Sequence, residues 1–90
     1  MIRVQRKKHA IIITNQKEFD IIKDMFMEIG AICSIEQPEL DRLIKHKLPI
    51  AWNSFDHLTY CDVEYWKKIG FQVLPASYFI MKEEDNYEIL

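Results

Sequence analysis

The stretch that most constrains this 90-residue chain is residues 15–30, which have the pattern of one amphipathic helix. Spacings of three and four align its apolar residues on one helix face: Phe19, Ile22, Phe26 and Ile29. Asn15 is a suitable N-cap, and Glu18 stands at the capping-box spacing. Gly30 suits the left-handed residue that often follows a helix. Any fold of this chain must supply an apolar surface for that helix.

The surface predicted for this helix is a small β-sheet. Residues 9–14 (HAIIIT) are rich in β-branched side chains and predict the first strand, and their three consecutive isoleucines favour a central position, buried on both faces. Further strands are predicted at residues 31–35, 49–52, 57–61 and 71–74. Capping residues predict two more helical segments, at 38–47 and 62–70. Residues 76–81 fit either a short helical turn or another strand.

These elements predict one α+β domain spanning residues 1–90. Its sheet is expected to be small and mixed or mainly antiparallel, with the helices on one face. Two main helices pack on it, at about 15–30 and 62–70, together with the short helical insertion at 38–47. A basic N-terminal arm at residues 1–8 and an acidic C-terminal tail at residues 82–90 flank the domain.

The sequence also limits the classes of function. No apolar run approaches the length of a membrane span, and the N-terminus has no apolar signal-peptide core, so we expect a cytoplasmic protein with no membrane partner. Cys33 and Cys61 do not imply a disulfide framework, and we expect both thiols to be reduced. No glycine-rich phosphate loop is present, and no cofactor is expected.

His57 and Cys61 form the best candidate cluster for chemistry. They share one face of a predicted strand but lie roughly 13 Å apart along it, which is too far for one nucleophile–base pair or one zinc ion. A metal site would need ligands from elsewhere in the chain, and no ligand spacing typical of zinc is present. A small enzyme that uses His57 with a cysteine is therefore the weaker alternative, and no catalytic or metal residue is assigned.

Aromatic residues are concentrated in the second half of the chain, where most of them are expected to form the core. Tyr65 and Trp66 are adjacent on a predicted helix and point about 100° apart, so one of the two is expected to be accessible. Exposed aromatic side chains beside lysines can anchor a protein partner. The candidate protein-binding residues are Phe55, Tyr65, Trp66, Lys67 and Lys68.

Residues 58–80 (LTYCDVEYWKKIGFQVLPASYFI) resemble the closing half of small, uncharacterised phage and prophage proteins. The likeness lies in a strand ending in tyrosine, a short capped helix rich in aromatic residues, a glycine, and a final strand. The helix at residues 15–30 resembles their first half, whereas residues 37–47 depart from the pattern as an insertion. The resemblance implies a non-enzymatic accessory protein that binds and modulates or inhibits a host protein in the bacterial cytoplasm.

Two other partners are compatible with the sequence. The basic arm and the exposed aromatic residues could bind nucleic acid, although the net charge of −2 disfavours this function. The residues that would carry it are Arg3, Arg6, Lys7 and Lys8. A homodimer is the other possibility, because the exposed edge of a short sheet invites pairing with a second copy.

Overall fold

The computed structural model describes residues 4–6, 8–52 and 56–80. In chain order its elements are β1 (His9–Ile12), α1 (Gln16–Glu28), α2 (Gln37–Lys45), β2 (Ile50–Trp52), β3 (Leu58–Tyr60), α3 (Val63–Lys68) and β4 (Gln72–Pro75). A helical segment at residues 76–80 follows β4 directly. The sheet has the order β3-β2-β1-β4. Because β1 pairs with β4 in parallel and with β2 antiparallel, the sheet is mixed, and the predicted α+β class is confirmed.

The central strand β1 carries apolar side chains on both faces, as its isoleucine run predicts. Ile11 belongs to the larger core cluster, which includes Phe26 of α1 and Leu43 of α2. Ala10 points the other way and packs with Trp66 of α3 in a second cluster. We call the Ile11 side the front face and the Ala10 side the back face. The pleat of a strand alone accounts for this separation.

The expectation that the helices cover one face is wrong. The front face is covered by α1, α2 and the helical segment at residues 76–80, whereas α3 packs on the back face. The physical reason is that the back face is apolar too. Ala10 of β1 and Ala51 of β2 point away from the front cluster and are fully buried. A sheet with apolar side chains on both sides needs a cover on each of them.

Local capping sets both ends of α1. The side-chain oxygen of Asn15 accepts from the backbone N–H of Glu18 at 2.8 Å. The Glu18 carboxylate reaches one residue beyond the predicted capping box and accepts from the backbone N–H of Thr14 at 2.8 Å. Gly30 has a φ of 109°, as its predicted role requires. Ile29 is wrongly predicted to be in the buried stripe, because it is the C-cap, where the chain leaves the helix, and it is 40% exposed.

The two shorter helices lie close to their predicted positions. In α2, Pro38 occupies the first turn, and Glu36 and Glu39 form a capping box. Leu40 and Leu43 face the core. In α3, the Asp62 carboxylate accepts from the backbone N–H of Tyr65 at 2.7 Å, so Asp62 is the N-cap.

The predicted strand at residues 31–35 is wrong. Only Ile32 pairs, as an isolated parallel bridge to His57 beside β3. The chain is still closing α1 at Ala31, whose N–H donates to the carbonyl of Phe26 at 3.0 Å, and the Glu36 cap of α2 follows four residues after Ile32. The apolar pattern instead reflects packing, because Cys33 and Ile35 contact the front cluster.

The predicted homodimer, in which a sheet edge pairs with a second copy of the chain, stays a prediction.

His9 is a buried polar residue at the start of β1, with 7% of its surface exposed. Its ring packs on Phe79, with centroids 5.4 Å apart, and its Nδ1 accepts from the backbone N–H of Gln5 at 3.1 Å. Burial of the ring, and then the neighbouring Lys8 ammonium, lower the pKa of His9 below its ordinary 6.5. The neutral ring therefore ties the segment before β1 to the front face.

We expect Asn15→Ala to lower the free energy of unfolding by about 1 kcal/mol, because the first turn of α1 loses its side-chain acceptor. Asn15→Asp keeps an acceptor at the same position and is the matched control. Urea denaturation of the three proteins measures the difference. Equal midpoints for Asn15→Ala and the unmodified protein would show that the cap contributes nothing.

The lowered pKa of His9 predicts a stability that depends on pH. Above about pH 6.5 the ring is neutral in both the folded and the unfolded chain, and its contribution is complete. As the pH falls through the window between the unfolded and the folded pKa, only the unfolded chain takes up the proton, so the stability decreases. Urea denaturation on both sides of about pH 6.5 should therefore show a smaller decrease on acidification for His9→Gln than for the unmodified protein.

Candidate functional site

Helix α3 places two adjacent aromatic side chains in opposite environments. Trp66 is 2% exposed and faces the sheet, whereas Tyr65 is 46% exposed and faces outward. Successive residues of a helix point about 100° apart, which produces this difference. The sequence predicts that one of the pair is accessible, and the structure identifies Tyr65 as that residue.

Trp66 fixes α3 against the back face of the sheet. Its indole lies in the cluster formed with Ala10 and Ala51, whose small side chains leave room for a large ring. The indole N–H donates to the carbonyl of Pro49 at 2.9 Å, and the Phe71 ring lies 4.9 Å away between centroids. The polar and the apolar parts of the side chain are both satisfied, so Trp66 holds one position.

Tyr65 is supported from beneath by this buried ring. The two rings meet edge to face, with centroids 5.3 Å apart and an interplanar angle of 70°. Ile69 lies four residues later on the same side of the helix and is 48% exposed. Lys67 and Lys68 are also exposed. We call the set Tyr65, Lys67, Lys68 and Ile69 the α3 surface.

The residues predicted to bind a protein partner divide into three groups. Tyr65, Lys67 and Lys68 lie on the α3 surface, and Phe55 lies outside the described residues. Trp66 is a core residue, because a side chain with 2% exposure offers no contact area to a partner. Ile69 is not among the predicted residues, although its i+4 spacing from Tyr65 places it on the same side of the helix.

The basic N-terminal arm is only partly described, because Arg3 and Lys7 lie outside the described residues. The guanidinium of Arg6 donates to the Asp56 carboxylate at 2.9 Å and lies 4.6 Å above the centre of the Trp52 ring. The Trp52 indole N–H donates to the same carboxylate at 3.1 Å. Arg6 thus fastens the segment before β1 to the end of β2, while Lys8 is exposed.

The structure does not bring the two cysteines together. Cys33 packs against the front cluster, whereas Cys61 packs against the back cluster. Leu58 of β3 belongs to the front cluster, whereas the preceding His57 lies outside β3 and pairs with Ile32 in the isolated bridge. Among the described residues, no group of three potential metal ligands is present.

Another exposed apolar group lies where α1 ends. Met27 is 49% exposed, Ile29 is 40% exposed and Ile32 is 53% exposed. Gly30 lies between them, where an added Cβ would stand 3.4 Å from the Trp52 ring. This group has neither a large aromatic residue nor a lysine, which separates it from the α3 surface.

None of the helices in the described part of the chain combines the length and apolar character that crossing a membrane requires.

No family model, curated protein or solved structure matches this chain. The resemblance to phage and prophage accessory proteins therefore stays a prediction.

We expect Trp66→Ala and Tyr65→Ala to differ sharply in stability, although the residues are neighbours. Trp66→Ala should cost about 3–5 kcal/mol, because it opens a cavity on the back face and leaves the Pro49 carbonyl without its indole donor. Tyr65→Ala should cost about 1 kcal/mol, the value of an exposed aromatic contact. Thermal and urea denaturation measure both, and similar losses would contradict the division into a core residue and a surface residue.

Proposed function

We propose that this chain is a non-enzymatic accessory protein, of the type encoded by phages, that binds and modulates or inhibits a host protein. The α3 surface is the contact region in this proposal. One observation carries it: an exposed tyrosine is held edge to face on a buried tryptophan and has an exposed isoleucine one helical turn away. The pattern-level resemblance of the sequence to phage proteins supports the bacterial setting.

The entropy of association favours a contact that is centred on Tyr65. Tyrosine and tryptophan are enriched among the residues that dominate binding energy. An exposed side chain loses rotamer freedom when a partner immobilises it, which weakens binding. The Tyr65 ring is already restricted, because Trp66 supports it and is itself fixed by the Pro49 carbonyl. The α3 surface therefore offers a large contact area that needs little further ordering.

The exposed lysines complete a surface typical of protein contacts. Lys67 and Lys68 follow Tyr65 on the last turn of α3. Charged groups at the rim of an interface steer the approach of a partner and fix its orientation more than they add affinity. An apolar centre with basic neighbours thus suits a reversible contact with a protein partner.

Nucleic-acid binding is the rival function, and the contacts of Arg6 weaken it. This arginine already pairs with Asp56 and lies over the Trp52 ring, so a phosphate would have to compete for it. The chain as a whole is negative, whereas nucleic-acid-binding domains usually present an extended basic face.

Affinity capture from bacterial lysate tests the proposal. We expect the tagged protein to retain one dominant protein that resists nuclease, and Tyr65→Ala to lose most of it because the central contact is removed. Tyr78→Ala is the matched control, since Tyr78 is 44% exposed and also meets a buried ring, that of Phe79, edge to face.

The outcomes of this capture separate the candidate functions. Equal losses for Tyr65→Ala and Tyr78→Ala would show that exposed tyrosines act non-specifically and would contradict the proposal. Loss of the captured protein on nuclease treatment would indicate that the chain binds nucleic acid and not a host protein directly. Failure to retain any protein under either condition would also count against a host-protein partner.

A further inference from the structure

Pairing of the two parallel strands brings a distant basic residue to the α3 surface. The backbone N–H of Gln72 donates to the carbonyl of Lys8 at 2.7 Å, which aligns the beginning of β4 with the beginning of β1. Helix α3 ends shortly before β4, so its last turn lies at the same end of the sheet. Lys8 belongs to the N-terminal segment, yet the fold places it beside a helix from the second half of the chain.

Chain geometry limits the separation. The backbone N–H of Phe71 donates to the carbonyl of Trp66, in the last turn of α3, at 2.9 Å, and the next backbone N–H, that of Gln72, donates to Lys8. Consecutive backbone nitrogens are less than about 4 Å apart, so the Lys8 carbonyl oxygen lies within about 10 Å of the last turn of α3. The side chains of Lys8, Lys67 and Lys68 are all exposed. The fold thus brings two sets of exposed lysines that are far apart in sequence to the same end of the sheet, near Tyr65 and Ile69.

Two acidic residues of α3 must be weighed against these lysines. The Asp62 carboxylate is occupied as the N-cap, whereas Glu64 is three residues before Lys67 and four before Lys68 and so neighbours them on the helix surface. Within residues 4–6, 8–52 and 56–80, the ion pair of Arg6 involves Asp56, and none involves Lys8, Lys67 or Lys68. The three lysines therefore outnumber the one neighbouring carboxylate of α3, that of Glu64, and leave a positive balance where α3 ends.

We propose that the partner of the α3 surface is an acidic protein segment. Its carboxylates face Lys8, Lys67 and Lys68, and an apolar side chain between them packs against Tyr65 and Ile69. This inference rests on the proposed function and specifies the chemistry of the partner. Charge complementarity supports carboxylates, because a basic region draws an acidic partner into register. Ile69, 48% exposed, favours a protein over nucleic acid, since an aliphatic side chain gains burial against an apolar side chain but offers no ring for base stacking.

Selection from a random peptide library on the immobilised full chain tests the chemistry without knowledge of the natural partner. We expect the retained peptides to be enriched in aspartate and glutamate around an aromatic or aliphatic residue. An oligothymidylate of similar length serves as the nucleic-acid probe. Retained peptides without acidic enrichment, no retained peptides, or tighter binding of the oligothymidylate would each overturn the proposal.

Charge reversal then locates the contact. The triple variant Lys8→Glu, Lys67→Glu, Lys68→Glu should bind the selected peptides at least about tenfold more weakly, because three attractions become repulsions. The control variant Lys17→Glu, Lys45→Glu, Lys47→Glu has the same net charge and changes three lysines that are also exposed, on α1 and at the end of α2. Equal weakening in both variants would reduce the effect to net charge and overturn the assigned location.

The two proposals fail in distinguishable ways. If Tyr65→Ala loses the captured host protein while the triple variant retains it at full strength, the α3 surface binds a protein but the acidic partner is wrong. If the unmodified chain captures no protein and the selection yields no peptides, both proposals are wrong.

Discussion

The fold depends on the burial of both faces of β1. Ile11 of β1 and Ile13, which follows the strand, are fully buried on the front face, and Ala10 of β1 is fully buried on the back face. An apolar strand of this kind is stable only between two layers, and that requirement assigns α1 to one face and α3 to the other. The same strand pairs with β2 on one side and with β4 on the other, so it joins both halves of the chain.

The size of the buried side chains then decides what the protein shows to its surroundings. Alanines at positions 10 and 51 make a shallow surface into which the Trp66 indole fits. Because this ring turns inward, its neighbour Tyr65 turns outward and rests on it. The candidate binding surface is thus a consequence of core packing: the same contacts that attach α3 to the sheet order the exposed tyrosine.

The segment before β1 is held by side chains of very different kinds. Arg6 stacks on Trp52 and pairs with Asp56, while His9 accepts a backbone hydrogen bond and packs on Phe79. These contacts occupy Arg6, one of the basic residues that the sequence suggested for nucleic-acid binding. They also leave Lys8 exposed beside the end of α3, which changes the chemistry expected of a partner.

The sequence by itself determined the local structure: the cap of α1 at Asn15, the central strand and the turn at Gly30 all follow from neighbouring residues and their periodicity. It also indicated α3 and one accessible aromatic residue within it. Only the tertiary structure decided that α3 covers the back face, that Ile32 makes a single bridge, and that Lys8 lies near Lys68. The physical reason is that capping and periodicity act over a few residues, whereas strand order, the choice of sheet face and the proximity of distant charges depend on how complete elements bury one another.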